Sequence, residues 1–227
     1  MGTEELRPAF YALRAGGWRD YVTVLHLPYT AWNLAYVAVG AALAPHFHTE
    51  RMLWTMAAFA LALGVSAHML DELNGRPLRT QIPDTVLVGL AVAALAGASA
   101  IGVWAATQWG YGLLAFVAAG AFIVPAYNLE WFGGRLHNAW GLALAWGAFP
   151  VLTAYFAEAD DLRLPAVLAA AFAAALILVQ RALSTPVRRA RRERGSLDGV
   201  EPMERALRIL PWANILLAAA LVSARLT

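Results

Sequence analysis

The chain alternates between long apolar runs and short segments that carry arginine. Seven runs stand out, at 24–45, 52–71, 84–107, 110–130, 137–157, 163–184 and 206–225. A helix needs about 20 mostly apolar residues to cross the hydrocarbon of a bilayer. Lipid offers no partner for a backbone N–H or C=O, so such runs must satisfy their own hydrogen bonds as helices. The expected fold is all-α, a polytopic transmembrane helix bundle of about seven spans occupying residues 24–227. Pro83 and Pro165 fall at the starts of runs, where proline is tolerated. Residues 1–23 read as an N-terminal amphipathic interfacial segment, with Glu4, Glu5, Arg7, Arg14 and Arg19 set among Phe10, Tyr11, Leu13 and Trp18.

Composition supports lipid as the solvent. Only 14% of the residues are charged and 60% are hydrophobic, whereas a soluble domain carries about 25% charge. There is no cysteine, which excludes disulfides, thiolate zinc sites and iron–sulfur clusters. All 17 basic residues are arginine, a bias that fits a GC-rich genome. The charged first 20 residues lack the apolar core of a cleavable signal peptide. Nothing in the charge balance calls for nucleic acid as a partner.

Arginine placement orients the bundle. With the N-terminus inside, the outer segments hold only Arg51, Arg163 and Arg225, and every other arginine is cytoplasmic. This bias predicts a cytoplasmic N-terminus and seven spans in a prokaryotic plasma membrane. It also sorts the polar residues by depth. His26, Thr30 and Asn33 lie in the inner half of the first span, and His68, Asp71 and Glu72 at the inner end of the second. Tyr127, Asn128 and Glu130 close the fourth, His137 and Asn138 open the fifth, and Gln180 and Arg181 end the sixth. Arg208 and Asn214 begin the seventh. The polar groups gather in one layer under an apolar interior. That layout suits an amphiphile with its head at the inner face, and the active face is expected to be cytoplasmic.

His68-Met69-Leu70-Asp71-Glu72 is the sharpest chemical signal. An imidazole and two carboxylates at i, i+3 and i+4 share a helix face, and ionisable groups within a span are functional candidates by default. Asp71 and Glu72 supply the hard oxygens that Mg²⁺ binds. His68 as a ligand would favour zinc, iron or manganese.

These residues carry a resemblance. The order of apolar helix, acidic motif, Arg76-Pro77-Leu78, Gln81-Ile82 and next apolar helix resembles the UbiA superfamily of membrane prenyltransferases. There the second helix ends in an Asn-Asp-x-x-Asp-type motif followed by Arg-Pro-Leu and a Gly-x-Ile-like segment. His26-Leu27-Pro28-Tyr29 through Gly40-Ala41-Ala42, Ala126-Tyr127-Asn128 and the glycine-rich 140–155 stretch are similar to other helices of the family. The likeness covers roughly 20–160, at low identity. It implies transfer of an isoprenyl group from its diphosphate to a lipophilic acceptor, with Mg²⁺ as cofactor. On that reading His68, Asp71 and Glu72 hold the metal, and Arg76, Arg79, Arg181, Arg188 and Arg189 bind diphosphate. Tyr127, Asn128 and Glu130 orient the acceptor or shield the carbocation, alongside catalytic Asp71 and Glu72.

Two departures are plain. The family has about nine helices, against seven here. Where its second acidic motif belongs, this chain has Ser184-Thr185-Pro186-Val187-Arg188-Arg189-Ala190-Arg191-Arg192-Glu193-Arg194.

Each residue also has an ordinary structural role open to it. Asp71 and Glu72 can pair with Arg76 and Arg79, His68 can bond a neighbouring helix, and Glu130 can face Arg135. Asn138 can N-cap the fifth helix. The arginine-rich loop can bind anionic membrane lipids. Trp18, Trp54, Trp109, Trp131 and Trp212 fit interfacial belts. Three functions stay open: UbiA-like prenyl transfer; a non-catalytic lipid- or quinone-binding protein or subunit of a membrane complex; and another metal-dependent membrane enzyme built on His26, His68, Asp71, Glu72 and Glu130. Membrane zinc hydrolases with histidine pairs on the last helix are excluded, because that helix has no histidine.

Overall fold

The structure is a computed structural model that describes residues 6–227; Glu4, Glu5 and the side chain of Arg194 lie outside what it describes. The described residues form eight helices and no strands. They are α1 (Trp18–Val24), α2 (Leu27–Leu43), α3 (Thr49–Leu73), α4 (Asp84–Trp109), α5 (Leu113–Asn128), α6 (Ala139–Ala159), α7 (Leu164–Glu193) and α8 (Glu201–Leu226). Five of these, α3, α4, α6, α7 and α8, are long and apolar enough to cross a membrane.

The other two expected spans are shorter than their apolar runs. α2 has 17 residues and α5 has 16. The reasons are local. Pro28 sits in the first turn of α2, and His26 before it takes a left-handed conformation, so the helix cannot begin earlier. At the other end Ala44, preceding Pro45, is extended. Gly110, with φ at 141°, separates α4 from α5. Residues 6–17 form no helix; the N-terminal segment becomes helical only at Trp18.

α2 is the axis of the bundle. It packs against α3, α6, α7 and α8, and Trp32, Tyr36 and Val37 on it are almost fully buried. Small residues let the neighbours approach. A Cβ on Gly40 would lie 2.3 Å from the Val151 carbonyl oxygen of α6, and one on Gly147 would meet the Ala173 backbone of α7 at 2.8 Å. Close backbone approach of this kind is how helices pack where the solvent is as apolar as the side chains. Gly40→Ala is therefore expected to lower stability by about 1–3 kcal/mol through overpacking, read as a fall in the thermal midpoint of the purified protein.

α3 and α6 each contain a widened π-helical stretch, Ala60–Ala67 and Ala143–Ala148. Such stretches rotate the residues that follow and recur at functional sites. The one in α3 runs directly into His68.

Candidate functional site

Antiparallel alternation brings the starts of α2, α6 and α8 and the ends of α3, α5 and α7 to one end of the bundle. There they enclose a cleft with about 380 Å³ of free space. Its charged and hydrogen-bonding walls come from α3 (His68, Asp71), α5 (Tyr127, Asn128) and α7 (Gln180, Arg181, Arg188). His26, Tyr29 and Asn33 of α2 complete it, with Trp146 of α6 behind. Residues 8–11 of the N-terminal segment close one side.

The acidic pair of the opening motif is split. Asp71 lines the cleft and forms no hydrogen bond or ion pair among the described residues; Arg188 is a charged neighbour there, and the His137 ring lines the same cleft. Glu72, one residue and about 100° further round the helix, is 1% exposed and turned into the α3–α4 loop. Its carboxylate accepts from the backbone N–H groups of Leu78 (2.9 Å) and Thr80 (2.8 Å), and from the Thr80 hydroxyl (2.8 Å). Both oxygens are engaged in shaping that loop. Arg76 does not meet either acid: its guanidinium donates to the carbonyls of Thr80 and Ile82 and pairs with Asp84. Arg79 lies in the same loop in a left-handed conformation, away from the cleft lining.

His68 meets backbone carbonyls of its own helix and of Leu25. Its Nδ1 lies 3.2 Å from the Gly64 carbonyl. A carbonyl only accepts, so Nδ1 carries the proton. The ring stacks on His26, centroids 4.2 Å apart and planes 10° from parallel. His26 Nδ1 in turn meets the Tyr11 hydroxyl at 2.9 Å. Burial raises the Tyr11 phenol well above its ordinary pKa, so this hydroxyl stays protonated and is available as a donor. Among the described residues, no three His, Asp or Glu side chains are grouped to hold a metal ion.

The far wall is aromatic. Tyr127 stacks on His137 with ring centroids 4.5 Å apart and lies at the same distance from the Trp146 ring. His137 Nδ1 donates to the Tyr127 carbonyl at 3.0 Å, which leaves its Nε2 with a lone pair. Arg181 interacts with the Tyr127 side chain. Asn128 lines the cleft but donates to Val124 O at 2.7 Å. Glu130 stands outside, left-handed, with Asn74 Nδ2 3.4 Å from its carboxylate rather than paired with Arg135. Asn138 is the N-cap of α6, its Oδ1 accepting from Gly141 N at 2.9 Å.

The arginine-rich segment divides by role. Arg181 and Arg188, seven residues apart on α7, face the cleft. Arg189 is exposed, with Glu193 at 3.9 Å. Arg191 also reaches the cleft wall, but its guanidinium is bound to buried Glu204, with Nη2 at 2.6 Å, and donates to the Arg7 carbonyl at 2.7 Å. Arg208 takes the other Glu204 oxygen at 2.6 Å and lies over the Phe10 ring. This cluster ties the α7–α8 connection to the N-terminal segment.

Several of these contributors were not legible in the sequence. Tyr11 carries no motif, and Tyr29 stood in the sequence only as part of the His26-Leu27-Pro28-Tyr29 likeness. Asp20, 3% exposed, joins the N-terminal segment to the α3–α4 loop by accepting from Gly16 N and Gln81 N, both at 2.8 Å. The only available signal was a lone acid beside arginine, which usually marks solvent. No family model, curated protein or solved structure matches the chain.

Proposed function

We propose that this chain is a UbiA-like integral membrane prenyltransferase, moving an isoprenyl group from its diphosphate to a lipophilic acceptor at the cytoplasmic face. The arginine bias supports that orientation, a cytoplasmic N-terminus and seven crossings, with α2 and α5 as short spans. The observation that carries the reading is the cleft itself. Asp71 shares it with Arg181 and Arg188, and none of the three is consumed by an ion pair among the described residues.

The chemistry assigns roles by position. Guanidinium forks match phosphate geometry, so Arg181 and Arg188 bind the diphosphate and stabilise it as it leaves with the C–O electron pair. The rings of Tyr127, Trp146 and Tyr29 face the allylic cation that remains and stabilise it by cation–π attraction. The acceptor attacks that cation, and its proton passes to the Nε2 lone pair of His137. Arg76 and Arg79 serve the α3–α4 loop, and exposed Arg189 and Arg205 meet anionic lipid headgroups.

A metal fits thinly. Among the described residues Asp71 is the one carboxylate that lines the cleft, and a Mg²⁺ held by it would take its other ligands from phosphate and water. Leaving-group charge would then be shared between that ion and the arginines. Arg188→Ala is expected to weaken isoprenyl diphosphate binding about 10- to 100-fold, the worth of a charged hydrogen bond, in a direct binding measurement. Unchanged affinity would overturn the assignment. A second reading, a non-catalytic lipid- or quinone-binding protein, is favoured by the structural use of Glu72. It predicts diphosphate or lipid binding with no release of pyrophosphate.

A further inference from the structure

Asn33 lines the cleft and takes no part in the chemistry above. It lies two turns beyond His26 on α2, about 10 Å deeper along the helix. Only 5% of it is exposed, its Oδ1 has no hydrogen-bond partner, and the side chain lines the cleft. The polar residue a turn before it is satisfied, since the Thr30 hydroxyl donates to the Leu25 carbonyl at 2.6 Å. An unpaired buried amide is a standing cost to the fold, and proteins leave few of them. Leucine would fill the same volume in this apolar bundle without that cost. The residues next to it in sequence on α2 are Trp32 and Leu34, and Trp146, Leu142 and Ile177 are apolar members of the same cleft lining. An anionic head would find no charged partner on these side chains. A neutral hydroxyl would find a match, because an amide offers a donor and an acceptor side by side and a hydroxyl uses both.

We propose that Asn33 is a ligand-binding residue that hydrogen-bonds a neutral hydroxyl group of an amphiphile lodged in the cleft. This rests on the reading of the cleft as an amphiphile site, but not on diphosphate binding there or on catalysis. It makes Asn33 a specificity-determining group. Hydroxylated amphiphiles are retained over hydrocarbons of the same shape, because a ligand without the hydroxyl leaves the amide unpaired.

The test uses the purified full-length chain in lipid nanodiscs, with farnesol as the probe and farnesane, its hydrocarbon counterpart, as the control for partition into lipid. Equilibrium binding of labelled farnesol and the thermal midpoint are measured for the parent, Asn33→Leu and Asn33→Ala. The expected result is about tenfold weaker farnesol binding in both variants, the worth of one hydrogen bond, with no change for farnesane. The ligand-free midpoint of Asn33→Leu should equal or exceed that of the parent. Farnesol binding that is absent from the parent, or undiminished in both variants, overturns the proposal. So does a lowered ligand-free midpoint for Asn33→Leu, which would make the amide a structural group. Inorganic pyrophosphate binding, measured in parallel, separates this from the reading above. If pyrophosphate fails to bind while farnesol binding depends on Asn33, the diphosphate site falls and the hydroxyl site stands.

Discussion

Asp71→Ala should abolish isoprenyl transfer, with a loss of at least about 100- to 1000-fold, the usual worth of a charged group acting on the transition state. Among the described residues it is the one carboxylate that lines the cleft and it has no bonded partner, with Arg188 as a charged neighbour. Because it forms no ion pair, its removal strands no partner, and the thermal midpoint should stay level or rise. That combination of lost turnover and kept stability is what a catalytic role predicts. The measurement is transfer of label from an isoprenyl diphosphate, with Asp71→Asn beside it to separate charge from shape. A variant as active as the parent would remove Asp71 from the mechanism.

Glu72→Ala should do the reverse, lowering stability by about 3–5 kcal/mol. Three donors converge on this carboxylate from a site only 1% exposed to solvent. An unsatisfied buried donor costs about 1–3 kcal/mol, and the individual costs overlap when they share one acceptor. Glu72→Gln should cost less, because it keeps one acceptor oxygen while turning an amide N–H₂ toward a donor. The readout is the thermal midpoint and the yield of folded protein. If Glu72→Ala melted like the parent yet lost all turnover, the residue would belong with the catalytic groups and its loop contacts would be incidental.

These two neighbours show how far the amino-acid order can be read. Spacing on a helix placed His68, Asp71 and Glu72 together near one end of a span, and that neighbourhood holds. Spacing could not say which acid would face the cleft. A step of about 100° per residue separates Asp71 from Glu72, and the loop amides at 78 and 80 capture the second. The arginines divided in the same way. Arg76 looked like a phosphate ligand by its place after the acidic motif, but Asp84 and two carbonyls hold it. Arg181 and Arg188 reach the cleft because seven residues make two turns of α7.

Hydropathy determined on its own that the chain is an all-helical bundle with helices fit for a membrane. Lipid enforces that choice through every unsatisfied backbone group. Loop lengths made neighbouring helices antiparallel, so the polar ends of six helices had to meet at one end. Only the tertiary structure decided which side chains face inward there. It brought Tyr11 against His26 and tied Arg191 to Glu204. It left Asn33 buried and unpaired. Those outcomes depend on helix rotation, on π-helical turns and on contacts between residues far apart in the chain, which local periodicity does not encode.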